Sequence, residues 1–349
     1  MRRIAAAVPV VVVAVLALLA PSIVGTDYYV SLLVTFVVVA IAALSLDIVI
    51  GHMGQFSFGH AAFWGIGAYA SAKLTYNEGF PVWLGVLCAI LMSGLAGLVV
   101  GLVVLKRNRG LELAMVTLGL GVLLATVAGL EFNFTGGEAG ILGIPPLTFL
   151  GFDAITPTRQ YFFVLVILVV VVYLMSRVSA SRFGRAVHSL REGEHLAASI
   201  GIRVAPTYAL AFAGAAALGG LAGALYGHTL GYVSPTFFNL TFMFEFLIMV
   251  VVGGSGTLGG PILGAGLYVA VTEISRNISE ESRLLIFGVI LFFVAVFLPR
   301  GLYPTLKSGV VRLIDLVAPP PGPPGADVSP TSADGTRAVA ATGARGDLG

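Results

Sequence analysis

Residues 177–203 read RVSASRFGRAVHSLREGEHLAASIGIR and form the longest charge-dense segment of a chain that is otherwise almost entirely apolar. Five arginines stand in this segment, together with Glu192, Glu194 and His195. A lipid bilayer disfavours so many charges, because each would have to leave water to enter it. The segment therefore predicts an aqueous loop, long enough to hold a helix, between two membrane-embedded parts of the chain.

The composition of the rest of the chain indicates a membrane protein. Of its 349 residues 58% are hydrophobic and only 10% are charged, whereas soluble domains have about 45–50% apolar and about 25% charged residues. One helical crossing of a bilayer takes about 20 apolar residues, and about ten such stretches fit in the chain. We therefore predict an all-α integral membrane protein, a polytopic bundle of about ten transmembrane helices with re-entrant or broken segments.

The first apolar stretch, residues 4–20, follows Met1-Arg2-Arg3 and has two readings, a secretory signal peptide or a first transmembrane helix. We favour the helix, because a second apolar run follows closely and nothing downstream is typical of an exported soluble domain. The other predicted spans are 28–50, 58–75, 82–105, 111–130, 160–177, 205–227, 240–253, 261–276 and 284–299. The span 240–253 is short for a crossing and is predicted to be tilted or re-entrant.

The distribution of basic residues predicts the orientation. With the N-terminus inside, 13 Lys and Arg residues before the tail fall on the inner face and four on the outer face. The inner face of a membrane protein is the more basic one, so the polar loop is predicted to be cytoplasmic. The domain assignment is a membrane domain over 1–317, with the cytoplasmic loop at 178–204, and a disordered cytoplasmic tail over 318–349, which is rich in Pro, Gly and Ala.

Several classes of function find no support in the sequence. No lysine follows a glycine, so no phosphate-binding P-loop of the G-x-x-x-x-G-K-[ST] type exists. Cys88 is the only cysteine and the five histidines are scattered, which disfavours a metal site. The net charge of +2 is too small to indicate nucleic-acid binding. The glycine-rich run 253–261 predicts a tight connection between two membrane segments in preference to an anion site.

The polar residues inside the apolar spans are of two kinds, acids and neutral hydrogen-bonding groups. Asp47, Glu112 and Glu131 lie near predicted span ends, where interfacial water lowers the cost of a charge, and Glu245 is the deepest acid. This set is too sparse to favour proton coupling. Ser57 and His60 either tie a broken helix together by hydrogen bonds or line a polar path.

One side of the predicted loop helix is formed by small residues at three- and four-residue spacing. Glu194, Ala197, Ala198 and Gly201 share this side. Small residues allow a short helix to enter a groove of another protein, with Arg191 and Glu192 as polar anchors. The alternative is a connecting helix that lies on the surface with a solvated charged face.

Several blocks, in order along the chain, resemble the LivM-type permeases of branched-chain amino-acid ABC importers. The segment from Gly54 to Tyr69, GQFSFGHAAFWGIGAY, is similar to a signature of that family. Similar blocks follow at 113–118, 135–141, 253–261 and 300–302, and residues 181–202 resemble the ABC signature loop. The chain departs from the usual pattern at Glu112, Val122, His195 and Leu196, which weakens any inference about the amino acid carried.

The resemblance implies a permease subunit in the bacterial plasma membrane that is not itself an enzyme and binds no cofactor, with ATP and Mg²⁺ held by partner subunits. The implied partners are a second homologous permease subunit, two cytoplasmic ATPase subunits, an extracytoplasmic solute-binding protein and the lipid bilayer. The residues implied to contact an ATPase subunit are Leu190, Arg191, Glu192, Gly193, Glu194, His195, Leu196, Ala197, Ala198, Ser199, Ile200, Gly201, Ile202, Arg203, Val204 and Ala205.

The implied cargo is a branched-chain or other hydrophobic amino acid, with urea or short amides as the alternative. Such a cargo needs an apolar route with a few polar groups for its charged ends, and we predict Gln55, Ser57, His60 and Thr117 in that role. A competing hypothesis from another class is an ion-driven secondary transporter or channel, which would need no partner subunits.

Overall fold

The computed structural model describes residues 17–105, 110–130, 132–149, 152–276, 280–298, 301–306 and 308–309. Helices dominate this part of the chain. They are α1 Asp27–Asp47, α2 His60–Tyr76, α3 Val82–Val103, α4 Leu111–Leu130, α5 Phe132–Thr135, α6 Pro157–Ala180, α7 Arg182–Glu192, α8 Glu194–Ser199, α9 Val204–Leu230, α10 Leu240–Gly253, α11 Gly259–Ile274 and α12 Glu280–Phe297. A π-helical turn, Ile48–His52, continues α1, and residues 17–24 are also helical.

Two small antiparallel sheets accompany the helices. Strand β1, Ile141–Leu142, pairs with β4, Tyr232–Val233, and β2, Thr148–Phe149, pairs with β3, Phe152–Asp153. Two short 3₁₀ turns, Gly137–Ala139 and Pro235–Phe238, lie near them. The β1–β4 pairing joins the connection between α5 and α6 to the segment that follows α9.

The predicted fold class is confirmed. The nine predicted spans that follow residue 27 each coincide with a described helix, as expected because an apolar segment in lipid must satisfy its backbone hydrogen bonds internally. Five helical segments are long and apolar enough to cross a bilayer: Asp27–His52, Val82–Val103, Leu111–Leu130, Pro157–Ala180 and Val204–Leu230. Shorter apolar helices occur at Leu240–Gly253, Gly259–Ile274 and Leu285–Val294.

The short span is a helix over the predicted residues. Its 14 residues measure about 21 Å along the axis, less than the roughly 30 Å of a bilayer core. Met243, Phe246, Met249 and Val250 are fully buried within the chain. Neighbouring protein therefore surrounds much of this helix, as the re-entrant interpretation requires, although a tilted or re-entrant course stays a prediction.

Helices α1 and α9 form the centre of the bundle. Every residue of α1 from Val37 to Asp47 is buried, which is typical of a helix surrounded by protein on all sides. By contrast, α3, α4 and α6 each bury one narrow side and expose rows of Leu and Val. The bundle therefore has a densely packed centre and an apolar periphery suited to lipid or to another membrane protein.

Glycine and alanine bring α9 close to α2 and α3. A Cβ atom added at Gly67 of α2 would collide with the backbone of Gly220 in α9, and one at Gly223 would collide with the backbone of Trp64. At Gly97 of α3 the obstructing atom is the Cβ of Ala216. Small residues at such crossings allow helices in a membrane to gain contact area that lipid cannot supply.

Several predictions concern residues outside the described ranges. These are the choice between signal peptide and helix for residues 1–16, the basic residues Lys106, Arg107, Arg109, Arg300 and Lys307, the acid Glu131, and the tail 318–349. The domain boundary at 317 lies outside them as well.

Candidate functional site

The polar loop folds into two short helices at one end of the bundle. Ser181 caps the N-terminus of α7, because its side chain accepts a hydrogen bond from the Gly184 amide at 3.2 Å. Helix α7 is strongly amphipathic, with Val187 and Leu190 buried beneath its charged surface. An extended residue, Gly193, separates it from α8. We call residues 178–204 the coupling loop, after the role that the resemblance implies for it.

The buried side of the coupling loop packs on the bundle. Val187, Leu190 and Ala197 belong to one apolar cluster with Val49 and Met53 of the segment that follows α1. The Tyr208 hydroxyl of α9 also donates a hydrogen bond to the Leu190 carbonyl at 3.3 Å. The loop is therefore attached to the ends of α1 and α9.

Two large apolar side chains are exposed at α8, Leu196 within the helix and Ile200 directly after it. Leu196 and Ile200 have 75% and 73% of their surface exposed, and their four-residue spacing places them side by side. Ala197, which belongs to the small-residue side defined in the sequence, is buried against this chain instead. Ala198 and Gly201, which belong to the same small-residue side, are exposed like Leu196 and Ile200. The contact of residues 190–205 with an ATPase subunit stays a prediction.

Arg191 points back toward the bundle. Its guanidinium Nη1 donates a hydrogen bond to the backbone carbonyl of Gly51 in the π-helical turn. Close by, the Asp47 carboxylate accepts a hydrogen bond from the Gly256 amide at 2.7 Å and lies 3.5 Å from His52 Nδ1. This region joins the end of α7, the end of α1 and the connection between α10 and α11. The sequence did not indicate that these three segments meet.

The predicted location of Asp47 at a solvated span end is wrong. The side chain is fully buried. The Gly256 amide and the neighbouring imidazole compensate its charge where interfacial water was expected to do so. The deeper acid, Glu245, is also largely buried, near Tyr226 and Tyr268. Glu112 is exposed at the beginning of α4.

The glycine-rich run is a tight connection between two helices, as predicted. Helix α10 ends at Gly253 and α11 begins at Gly259. A Cβ atom at Gly253 would collide with the Gly260 carbonyl, and one at Gly264 would collide with the Met249 carbonyl. The glycines therefore permit backbone contact between the two helices.

The four predicted path residues are all buried where the broken segment 53–59 meets α4 and α1. Gln55 Oε1 accepts a hydrogen bond from the Gly110 amide at 3.0 Å, and Thr117 Oγ1 accepts one from the Phe58 amide at 3.1 Å. His60 Nε2 lies 2.6 Å from Ser45 Oγ, a partner that the sequence did not identify. Among the described residues, the Ser57 hydroxyl has no hydrogen-bond partner. Three of the four side chains thus tie helices together, and their role in a path stays a prediction.

The described residues contain no cluster of three or more His, Cys, Asp or Glu side chains that could hold a metal ion. The end of the bundle opposite the coupling loop has its own polar tie. His228 of α9 lies 2.8 Å from Ser71 Oγ and 2.7 Å from the Pro145 carbonyl of the connection between α5 and α6.

Comparisons with known proteins agree with this architecture. Residues 28–295 match the family model described as branched-chain amino acid transport system / permease component. The chain is 32% identical to the high-affinity branched-chain amino acid transport system permease protein LivM of Salmonella typhimurium, over 78% of this chain and 70% of the relative. It is 31% identical to the protein of the same description from Escherichia coli, with the same coverage.

A more distant relative is the probable branched-chain amino acid transport permease protein LivM of Methanocaldococcus jannaschii, which is 26% identical over 64% of this chain and 70% of the relative. No solved structure matches the chain. The matched region runs from α1 into α12 and includes the coupling loop. This multi-pass membrane protein therefore belongs to the permease component family of branched-chain amino acid transport systems.

Proposed function

We propose that the chain is the permease subunit of an ATP-driven importer of branched-chain amino acids, and that its coupling loop docks on a separate ATPase subunit. The observation that carries this proposal is the exposure of Leu196 and Ile200 on a charge-dense loop. An apolar pair on a short helix suits recognition in a groove, where its burial contributes about 1.5–3 kcal/mol per side chain. The chain itself lacks a P-loop, so the hydrolysis of ATP belongs to the partner.

The attachment of the loop supports a mechanical role. Apolar contacts and hydrogen bonds hold the loop on the ends of α1 and α9, the two central helices. A displacement of the loop by a closing ATPase would therefore bias the bundle between two arrangements, open to one side of the membrane or to the other. In this scheme a second permease subunit covers part of the exposed apolar periphery, and a solute-binding protein delivers the cargo at the opposite end.

The names of the relatives support branched-chain amino acids as the cargo. Urea or short amides are the alternative that the resemblance implies. Gln55, Ser57, His60 and Thr117 remain our candidates for polar groups beside the path. Among them Ser57 is the best candidate, because its buried hydroxyl has no hydrogen-bond partner in the part of the chain that the structure describes. The chain is proposed to act as a non-catalytic subunit in the bacterial plasma membrane, with both termini in the cytoplasm.

Reconstitution into proteoliposomes tests the proposal. The chain, assembled with its second permease, its ATPases and its binding protein, is expected to take up radiolabelled leucine only when ATP is supplied. Leu196→Glu should release the ATPase subunits in co-purification, because a buried charge replaces an apolar contact. Tyr76→Glu, which removes an exposed aromatic residue at the opposite end, serves as the control and should retain them.

Two results would contradict the proposal. Uptake by the purified chain alone under an ion gradient would favour the secondary transporter. Retention of the ATPase subunits by Leu196→Glu would place the docking surface elsewhere.

A further inference from the structure

We infer that Arg191 is a positioning residue that transmits motion from the coupling loop to the bundle, and that its partners lie in this chain and not in the ATPase subunit. The inference rests on the proposed function, because it assigns the internal connection through which the docked loop would act. It concerns Arg191, Asp47 and three glycines, Gly51 and Gly54 from the segment that follows α1 and Gly256 from the connection between α10 and α11. We call this group the arginine cradle.

The cradle is shaped to admit the arginine side chain. A Cβ atom at Gly54 would lie 2.8 Å from Arg191 Cγ, and one at Gly256 would lie 3.1 Å from Arg191 Nη1. Both glycines also have positive φ angles, 68° and 77°, that favour glycine. The Gly51 carbonyl accepts the hydrogen bond from the guanidinium. Glycine is therefore required at Gly54 and Gly256, because a side chain there would crowd Arg191 and because both positions have a positive φ angle.

Asp47 completes the connection. Its carboxylate accepts a hydrogen bond from the Gly256 amide at 2.7 Å. A Cβ atom at Gly51 would collide with the same carboxylate oxygen. Asp47 terminates the central helix α1, whereas Gly256 lies between α10 and α11. Two short polar contacts thus join α7 to α1, and α1 to the α10–α11 connection.

The chemistry of these contacts suits the transmission of motion. The apolar contacts of Val187 and Leu190 resist separation but are non-directional, so the loop could slide over them. A hydrogen bond from a guanidinium has a fixed direction and a planar donor group. The guanidinium also brings its positive charge to the Gly51 carbonyl, four residues after the fully buried Asp47. A displaced Arg191 would therefore pull the end of α1 with it.

The resemblance gives Arg191 another role, as a polar anchor on the ATPase subunit, and the two roles predict different defects. In the complete assembly in proteoliposomes, Arg191→Ala is expected to keep the ATPase subunits and to hydrolyse ATP at the normal rate. The number of leucine molecules taken up per ATP hydrolysed should fall about tenfold, which is a typical size for the coupling between two sites. Arg191→Lys, which retains the charge, should restore part of the ratio. Arg182→Ala removes another arginine of the same helix, which like Arg191 is exposed, and should match the unaltered assembly.

Loss of the ATPase subunits in Arg191→Ala, a parallel fall of uptake and hydrolysis, or an unchanged ratio would each overturn the inference. A second measurement does not depend on ATP or on any partner. Hydrogen exchange of the full chain in lipid nanodiscs should show about tenfold faster exchange over 48–56 and 254–260 in Arg191→Ala and Asp47→Ala, because both segments lose a restraint. Asp47→Asn keeps an acceptor for the Gly256 amide and should exchange more slowly than Asp47→Ala.

Unchanged exchange in Arg191→Ala would show that Arg191 restrains neither segment and would overturn the inference even if the proposed function holds. Conversely, an assembly that takes up no leucine with ATP would refute the proposed function. The exchange comparison would then still decide whether the cradle connects the loop to the bundle.

Discussion

At the scale of single residues, glycine decides how closely the helices of this bundle approach. Gly220 of α9 faces Ser93 of α3, and a Cβ atom added there would collide with the serine side chain and would lie 2.9 Å from the Ala89 carbonyl. Gly214, two turns earlier in the same helix, has no atom within 4 Å of such a Cβ. Two glycines of one helix thus have opposite environments.

This contrast gives a matched pair of substitutions. Gly220→Ala should lower the free energy of unfolding by about 1–3 kcal/mol, because α3 and α9 must move apart. Gly214→Ala should leave it unchanged or raise it by up to about 1 kcal/mol through helix propensity. Thermal unfolding of both variants in the same detergent measures the difference. Equal melting temperatures would show that α3 and α9 are not in close contact at Gly220.

At the scale of elements, one buried histidine fastens an extramembrane connection to the bundle. The Pro145 carbonyl can only accept a hydrogen bond, so His228 Nδ1 carries the hydrogen and Nε2 accepts from the Ser71 hydroxyl. The β1–β4 pairing holds the same connection a few residues away. The tie therefore joins α2, α9 and the segment between α5 and α6.

Removal of this histidine should loosen the connection. His228→Ala leaves the Pro145 carbonyl and the Ser71 hydroxyl without their partner, which costs about 1–3 kcal/mol for a buried group. Hydrogen exchange over 141–149 should therefore become faster, while exchange over 194–204 at the other end stays the same. His195→Ala, at an exposed position, is the control. Equal exchange over 141–149 in both variants would argue against the tie.

At the scale of the whole molecule, the helices alternate between two ends. The coupling loop, the π-helical turn and the glycine-rich connection lie at one end, as their mutual contacts establish. The connection between α2 and α3, residues 77–81, lies at the other end, because Ser71 near the end of α2 lies beside His228 near the end of α9. The charge distribution predicts that the first end faces the cytoplasm.

Cysteine labelling tests this orientation. Cys88 is the only cysteine, so Cys88→Ala provides a background without thiols. In intact cells a membrane-impermeant maleimide should label Glu78→Cys and leave Arg185→Cys unlabelled, whereas broken cells should label both. Both positions are exposed in the structure. The reverse pattern in intact cells would invert the orientation and remove the coupling loop from the reach of a cytoplasmic ATPase.

The amino-acid sequence by itself determined the helices, the polar loop between α6 and α9, and the tight glycine connection. These features depend on local properties, since an apolar segment in lipid must form a helix and a charge-dense segment must stay in water. The exposed pair Leu196 and Ile200 could also have been found by helical spacing alone.

Only the tertiary structure decided which polar groups meet. Arg191 and Gly51 are separated by 140 positions, and Asp47 and Gly256 by 209, so no periodicity in the sequence relates them. Asp47 was predicted to be solvated because it ends an apolar span, yet the packing of other segments over that end buries it. Burial and pairing are properties of the assembled helices, and they bring Arg191 of the charged loop into contact with the π-helical turn that continues α1.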